Sequence, residues 1–291
     1  VAAQQLFRRA CRVTVGSLVL ERLRVTFEVD KSLEPEPNTA EIRVTNLNGD
    51  HRKELQEAGG AVVQLEAGYA APEVAPDVNA ALAGIGLEPT ESTLPKIFLG
   101  QMRQAYSYRE GPDWVTVLSS GDSEQEQRSN RASLSFRPGV RLMQVFDALI
   151  KKTGLSAGNA FGELNGKLLF DQTAGPLAIA GNAMQELQKL SRSFGLQVSV
   201  QDGELQMLEQ GKPLRAGAIV LGPGTGLIGS PEPASDGLIK FRALLQPDIF
   251  PGRAVELEAA HAQGRYRVEQ ATYLGDTHGG PWYVDCEGKS V

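Results

Sequence analysis

At 291 residues the chain is long enough for two or three domains. Its 41% apolar and 22% charged residues are globular proportions that exclude a disordered or collagen-like chain. A formal charge of −6 sets it apart from proteins that hold nucleic acid by clustered lysines and arginines, and its longest apolar runs, such as Ala216–Leu221, are too short for a membrane-crossing helix.

Arg8, Arg9 and Arg12 stand among apolar residues at the start, but no uninterrupted apolar stretch follows, so the segment reads as folded structure and not as a secretion signal. Val13, Val15, Leu18 and Leu20 then have strand spacing. Leu23, Val25, Phe27 and Val29 alternate with Arg24, Thr26 and Glu28, which predicts a strand with one apolar and one wet face. After a turn at Leu33–Asn38, Ile42 and Val44 continue the pattern. Asn48–Ala58 reads as a short helix with Asp50 as its N-cap, stopped by Gly59-Gly60. Val63, Leu65 and Ala67 resume a strand.

Residues 70–95 differ, with Pro72, Pro76, Pro89 and Pro95 among small and acidic residues and a helical turn fitting Val78–Ala83. They read as a long insertion between strands. Strands return at Ile97–Leu99 and Met102–Tyr108, pairing with Trp114–Leu118 across the turn Glu110–Asp113.

The period then becomes helical. Leu142, Val145, Phe146, Leu149 and Ile150 form one face, opening after Pro138-Gly139 and closing at Gly154. Met184, Leu187, Leu190 and Phe194 repeat the plan between Gly181 and Gly195. Each unit is followed by Gly-Leu, and the second runs into a hairpin across Asp202-Gly203. Strand alternation resumes at Ile219–Leu221, Leu238–Leu245, Val255–Ala259 and Tyr266–Val268, with a turn read at Gln263-Gly264, and ends with Trp282, Val284 and Cys286. The reading is three sections: β over 1–134, α+β over 135–215 and β over 216–291. The first holds 14 basic and 19 acidic side chains, the middle 9 and 7, the last 6 and 9, so neither β section offers phosphates a cationic surface.

The residue types that carry chemistry are scattered. His51, His261 and His278 lack metal-ligand spacing. Ser119–Asp122 has no nucleophile-elbow pattern, and Gly222–Gly226 holds a Pro and lacks the Lys-Ser/Thr ending of a phosphate loop, so it reads as a turn. Asp30, Glu34 and Glu36 read as solvated carboxylates in and beside a Pro-rich turn, not as a glycosidase pair. Trp114 and Trp282, each at a strand start, read as rings anchoring an edge by burial. Cys11 and Cys286 read as small buried thiols, as expected of a chain made in a reducing cytoplasm. No catalytic, cofactor-binding or metal-binding residue is assigned, and no cofactor.

Taken in order, LRVTFEVDKS from Leu23, EPNTAEIRVTNL from Glu36, VQLEAGY from Val63, IFLG from Ile97, SFRPG from Ser135, GLIGSP from Gly226, LLQPDIFPG from Leu244, YRV from Tyr266 and LGDT from Leu274 followed by Trp282 resemble the central baseplate hub family of phage tails and related contractile injection systems. The match runs over nearly the whole chain. The insertion at 70–95 departs from the shorter loop expected there. The resemblance implies a mainly β chain in which two tail-tube-like β-barrel domains flank a small helix–strand region. It further implies a non-enzymatic homotrimer that presents six barrels to a six-fold tail tube protein or tube initiator above and binds a trimeric spike below. A tape measure protein and a baseplate wedge are further partners it allows. DNA would pass without specific binding, and the protein would reside in the virion after synthesis in the bacterial host cytoplasm. Two other readings stand beside it: a peptidoglycan-binding module like LysM, from the paired Gly–helix–Gly-Leu units, and a tail-borne cell-wall hydrolase.

Overall fold

In the computed structural model, which describes residues 9–69, 94–165 and 173–291, the two β sections merge into one large antiparallel sheet. The insertion read over 70–95, with its helical turn, lies almost wholly outside the described residues. The first section begins with a hairpin of β1 (Arg9–Val15) and β2 (Leu18–Glu21). β3 (Val25–Ser32) and β4 (Thr39–Thr45) follow as a second hairpin. Helix α1 (Gly49–Glu57) is capped by Asn48, whose side chain accepts from the His51 N–H at 2.7 Å. The expected cap, Asp50, instead lies in the first turn, where its charge faces the positive helix end. β5 (Val62–Tyr69), β6 (Lys96–Glu110) and β7 (Asp113–Gly121) complete the section, and β7 pairs back to β4.

The last section holds β14 (Ile219–Leu221), β15 (Leu227–Pro233), β16 (Leu238–Leu244), β17 (Ala254–Ala259), β18 (Ala262–Asp276) and β19 (Trp282–Ser290). The turn expected at Gln263-Gly264 falls instead at Ala260-His261, and both residues lie within β18 opposite Glu258 and Leu257. Gly264 has φ +143°, an extended conformation that glycine permits inside a strand.

One core runs through both β sections, from Val13 and Leu55 to Tyr273 and Val284. Cys286 is buried in it and Cys11 packs against it, both as free thiols. Burial raises both thiols, Cys11 to about 12 and Cys286 further, so the thiolate is scarce at neutral pH. A thiol reagent at pH 8 is expected to label neither in the native chain and both after denaturation; rapid native labelling would contradict that burial.

The middle section has a core of its own. Helix α2 (Glu124–Ser129) leads into β8 (Arg131–Phe136) and β9 (Val140–Arg141); α3 (Leu142–Thr153) and α4 (Ala160–Asn165) follow, then β10 (Thr173–Ala174) and β11 (Leu177–Asn182), α5 (Ala183–Ser193), β12 (Leu196–Gln201) and β13 (Glu204–Glu209). The apolar faces of α3 and α5 meet in this core, where Phe146 and Phe194 pack edge to face at 5.9 Å. Gly154 ends α3 at φ +72°, in the left-handed region expected of it.

The β12–β13 hairpin joins this region to the sheet. Asp202 and Gly203 at its tip both have positive φ, as a tight hairpin turn requires. Lys31, 3% exposed, donates to both Asp202 carboxylate oxygens at 2.8 Å. The N–H groups of Asp202 and Gly203 donate to the buried Asp122 carboxylate at 2.7 and 2.9 Å, and Leu99 N–H donates to Asp202 at 3.1 Å. Asn38 donates to the Val200 carbonyl at 2.9 Å. Buried charges persist only when paired in this way.

Candidate functional site: a duplicated strand frame with unequal edges

The two β sections are built on one plan. The first runs β5-β6-β7-β4-β3 across the sheet, the last β17-β18-β19-β16-β15, with the same antiparallel pairings in the same chain order. The long strands β6 and β18 each carry an irregularity at their eighth residue, Arg103 and Glu269. The hydrogen bonds around it correspond one to one. Gly60 donates to Met102 at 2.9 Å and Gly252 to Val268 at 2.8 Å; Met102 donates to Ala61 and Val268 to Arg253, both at 2.9 Å; Ala61 donates to Ala58 and Arg253 to Phe250, both at 3.0 Å. Gly60 and Gly252 share positive φ, +82° and +94°. Trp114 and Trp282 also correspond: their carbonyls accept from Asn46 and Leu245 just beyond β4 and β16.

The frames meet along β18. Its first part pairs with β17, and beyond Glu269 its residues Gln270–Asp276 pair with β3, while β19 holds the opposite side. Gly275 lies opposite Phe27, and a Cβ there would stand 2.2 Å from the Phe27 ring, which packs edge to face on Trp282 at 5.6 Å. Gly275→Ala is therefore expected to cost about 1–3 kcal/mol by overpacking the joint, measured by denaturant unfolding; a neutral substitution would mean that the joint yields freely.

The corresponding edges elsewhere are open among the described residues. Residues Gln104–Glu110 of β6 have β7 on one side and no strand on the other among the described residues, and β15 has only β16. Burial follows the pairing. Ala271, Tyr273 and Gly275 of β18 are buried, whereas their counterparts Ala105, Ser107 and Arg109 are not. Tyr106 and Tyr108, 46% and 36% exposed, stack on each other at 6.3 Å. Trp282 is 4% exposed, as the sequence led one to expect, but Trp114 is 36% exposed beneath the Arg52 guanidinium at 3.9 Å. Ile228 on β15 is equally open at 36%. Exposed aromatic and aliphatic side chains along unpaired strands mark an interaction surface.

The wet face of both frames is mixed in charge, and three of its cations are held in ion pairs. Arg43 pairs with Glu41 at 2.7 Å, Lys240 with Glu287 at 3.0 Å and Arg242 with Asp285 at 2.6 Å. The hydrogen bonds that Arg43 and Arg242 donate to Glu41 and Asp285 raise both guanidinium groups above their ordinary value. Asp30 accepts from Thr272 at 2.7 Å, across the joint between frames.

The other residues singled out in the sequence do not converge. Ser120 and Asp122 are buried, and the Asp122 carboxylate accepts from the hairpin tip. His51 lies on α1, His261 on the β17–β18 turn and His278 on the β18–β19 turn. Gly222 and Thr225 form a tight turn, with Gly222 N–H donating to the Thr225 hydroxyl at 2.7 Å. Among the described residues no group of three or more His, Cys, Asp or Glu side chains is arranged to hold a metal.

The family model of the baseplate hub gp41 proteins matches residues 7–288. The chain belongs to that family. Its fold is that of phage tail proteins. This baseplate hub family member superposes on the tail protein from Neisseria meningitidis MC58 with a TM-score of 0.63 at 11% identity, covering 98% of this chain and 97% of that one. The 43 kDa tail protein of prophage MuSo2 from Shewanella oneidensis gives 0.61 at 9% identity, with 97% and 98% covered. The c3393 protein of E. coli, a type VI secretion system component, gives 0.56 at 10% identity, with 96% of this chain and 76% of that one covered. Curated protein sequences give no match.

Proposed function

We propose that the protein is a non-enzymatic structural subunit of the tail baseplate in the virion, three copies of which form a ring between tail tube and spike. The observation that carries this reading is the duplicated frame. One chain holds two units of the same plan side by side, so three chains present six similar units to a six-fold tube or tube initiator while keeping three-fold symmetry for a trimeric spike. Residues 1–134 and 216–291 supply the two units, and 135–215 supplies a separate region braced against them. A head-to-tail ring also removes the open strand edges. The pairing of Arg43, Lys240 and Arg242 with carboxylates supports a channel through which DNA slides without being held, because cations already paired with carboxylates contribute less to displacing phosphate counterions. Tape measure protein and baseplate wedge are the further contacts such a position offers.

Imaging of assembled tails tests this. The expected result is three copies at the junction of tube and spike, with both frames facing the tube. A copy number that is not three, or a position on the outside of the particle, would overturn it.

A further inference from the structure

Within one chain, β18 of the second frame closes the edge of β3 in the first. The matching positions, Gln104–Glu110 of β6 in the first frame and β15 in the second, lie far apart in the strand order β15-β16-β19-β18-β3-β4-β7-β6-β5-β1-β2 and are not paired with each other within the chain among the described residues, which leaves both for a neighbouring copy. Resting on the ring reading above, we propose that Gln104–Glu110 of one copy pairs antiparallel with β15 of the next, repeating between chains the β18–β3 joint found within each.

The internal joint fixes the register. Leu274 lies opposite Glu28 and Tyr273 opposite Val29. Counted from the shared irregularity, Tyr108 corresponds to Leu274 and Ser107 to Tyr273. Glu232 and Pro233 correspond to Glu28 and Val29, since Lys240 and Ile239 occupy on β16 the places of Glu41 and Ala40 on β4. Tyr108 therefore faces Glu232 of the next copy, and Ser107 faces Pro233.

Hydrogen-bonding capacity makes this joint one-directional. Ala234 N–H donates to the Leu238 carbonyl at 2.8 Å, so Pro233, one residue along the ladder, turns its main-chain groups away from β16 and outward. Proline has no N–H to give there. Two β15 edges meeting each other would lack a donor at this position, whereas Ser107 of β6 can donate to the Pro233 carbonyl. The edge is closed to self-pairing and open to a different, donor-bearing strand. The irregular stretch between Ile228 and Glu232 faces Arg109, where the internal joint has Gly275 against Phe27, leaving room for the larger side chain.

Thr277 donates to Val25 at 3.1 Å and Leu33 to Glu269 at 3.0 Å at the two ends of the internal joint, which makes Leu274–Glu28 a non-hydrogen-bonded, closely spaced pair. Its counterpart, Tyr108–Glu232, then has a Cα separation of about 4.5 Å, within disulfide reach. Neither the buried Cys286 nor the half-buried Cys11, whose thiol is raised by its surroundings, competes.

The test is the full chain carrying Tyr108→Cys and Glu232→Cys, assembled into tails and mildly oxidised. The expected product is a covalent trimer on a non-reducing gel, with none from either single variant, and with cross-linking at least tenfold slower when Tyr106→Cys replaces Tyr108→Cys. No cross-link in tails that do contain three copies would overturn this joint and leave the ring intact. Faster cross-linking from position 106 would overturn the register. A copy number other than three would overturn the ring and the joint together. Because the double variant can itself block assembly, the single Tyr108→Cys chain is also labelled with a maleimide: at least tenfold protection in tails relative to the free chain is expected, and equal labelling would overturn the proposal.

Discussion

Lys31→Ala is expected to destabilise the chain by about 3–5 kcal/mol, because removing one partner of a buried ion pair strands the other. The Lys31 ammonium is held by both oxygens of Asp202 at the tip of the β12–β13 hairpin, and it is the charged member of the set of bonds tying the helix-bearing middle to the sheet. Denaturant unfolding measures the loss, and limited proteolysis should show the middle section cut first. The double variant Lys31→Met with Asp202→Asn should recover most of it: both charges are gone, and Asn-Gly still suits a turn in which both residues have positive φ. A single variant as stable as the parent would show that the hairpin is held by its packing and its remaining hydrogen bonds. Asp122, beneath the same tip, adds a pH signature. Burial first, and then the charge of Asp202, raise its carboxyl above the ordinary range. A folded pKa above the unfolded one means that folding is opposed by this group once pH exceeds the folded value. It is relieved as pH falls through that value toward the ordinary aspartate value of about 3.9. Across that window the parent should gain stability relative to Asp122→Asn, and the opposite slope would contradict the assignment.

Trp282→Ala is expected to cost about 3–5 kcal/mol, and Trp114→Ala at the matching position only about 1 kcal/mol in the isolated chain. Trp282 is enclosed by Phe27 and the core, and its indole N–H meets no acceptor among the described residues, so its worth lies in packing. Trp114 loses mainly its contact with the Arg52 guanidinium at 3.9 Å. Unfolding of the two variants side by side decides the matter; equal losses would mean that the two frames are not exposed differently at this point.

The strands were legible because their alternation survives in the sequence: Val25, Phe27 and Val29 inward, Thr26 and Glu28 outward. The helices of the middle were legible from their period and their glycine stops. The duplication was implied by the family resemblance but was not legible in the residues themselves. Strand pairing conserves direction and register, which many residues satisfy, so Leu118 matches Cys286 and Ser107 matches Tyr273, and the positions that keep their identity, such as Trp114/Trp282, Gly60/Gly252 and Ala105/Ala271, are scattered among many that do not. The turn at Gln263-Gly264 was misread because a glycine signal does not distinguish a turn from a strand position that merely tolerates it. The hairpin clasp had one signal in the sequence that went unused. Lys31 continues the inward-facing alternation of Val25, Phe27 and Val29, where a lysine needs an anion to meet it. Its partner, Asp202, is 171 residues away, and no local pattern could name it.

In most chains with two similar units a linker joins them, and the angle between them is free to vary. Here β18 is a structural member of both: it is a central strand of one frame up to Glu269 and the outermost strand of the other beyond it. Covalent bonds and a continuous ladder thus set how far the second unit is turned from the first. The curvature of any larger assembly is then written into a single strand, and the chain carries its own protractor before it meets another copy.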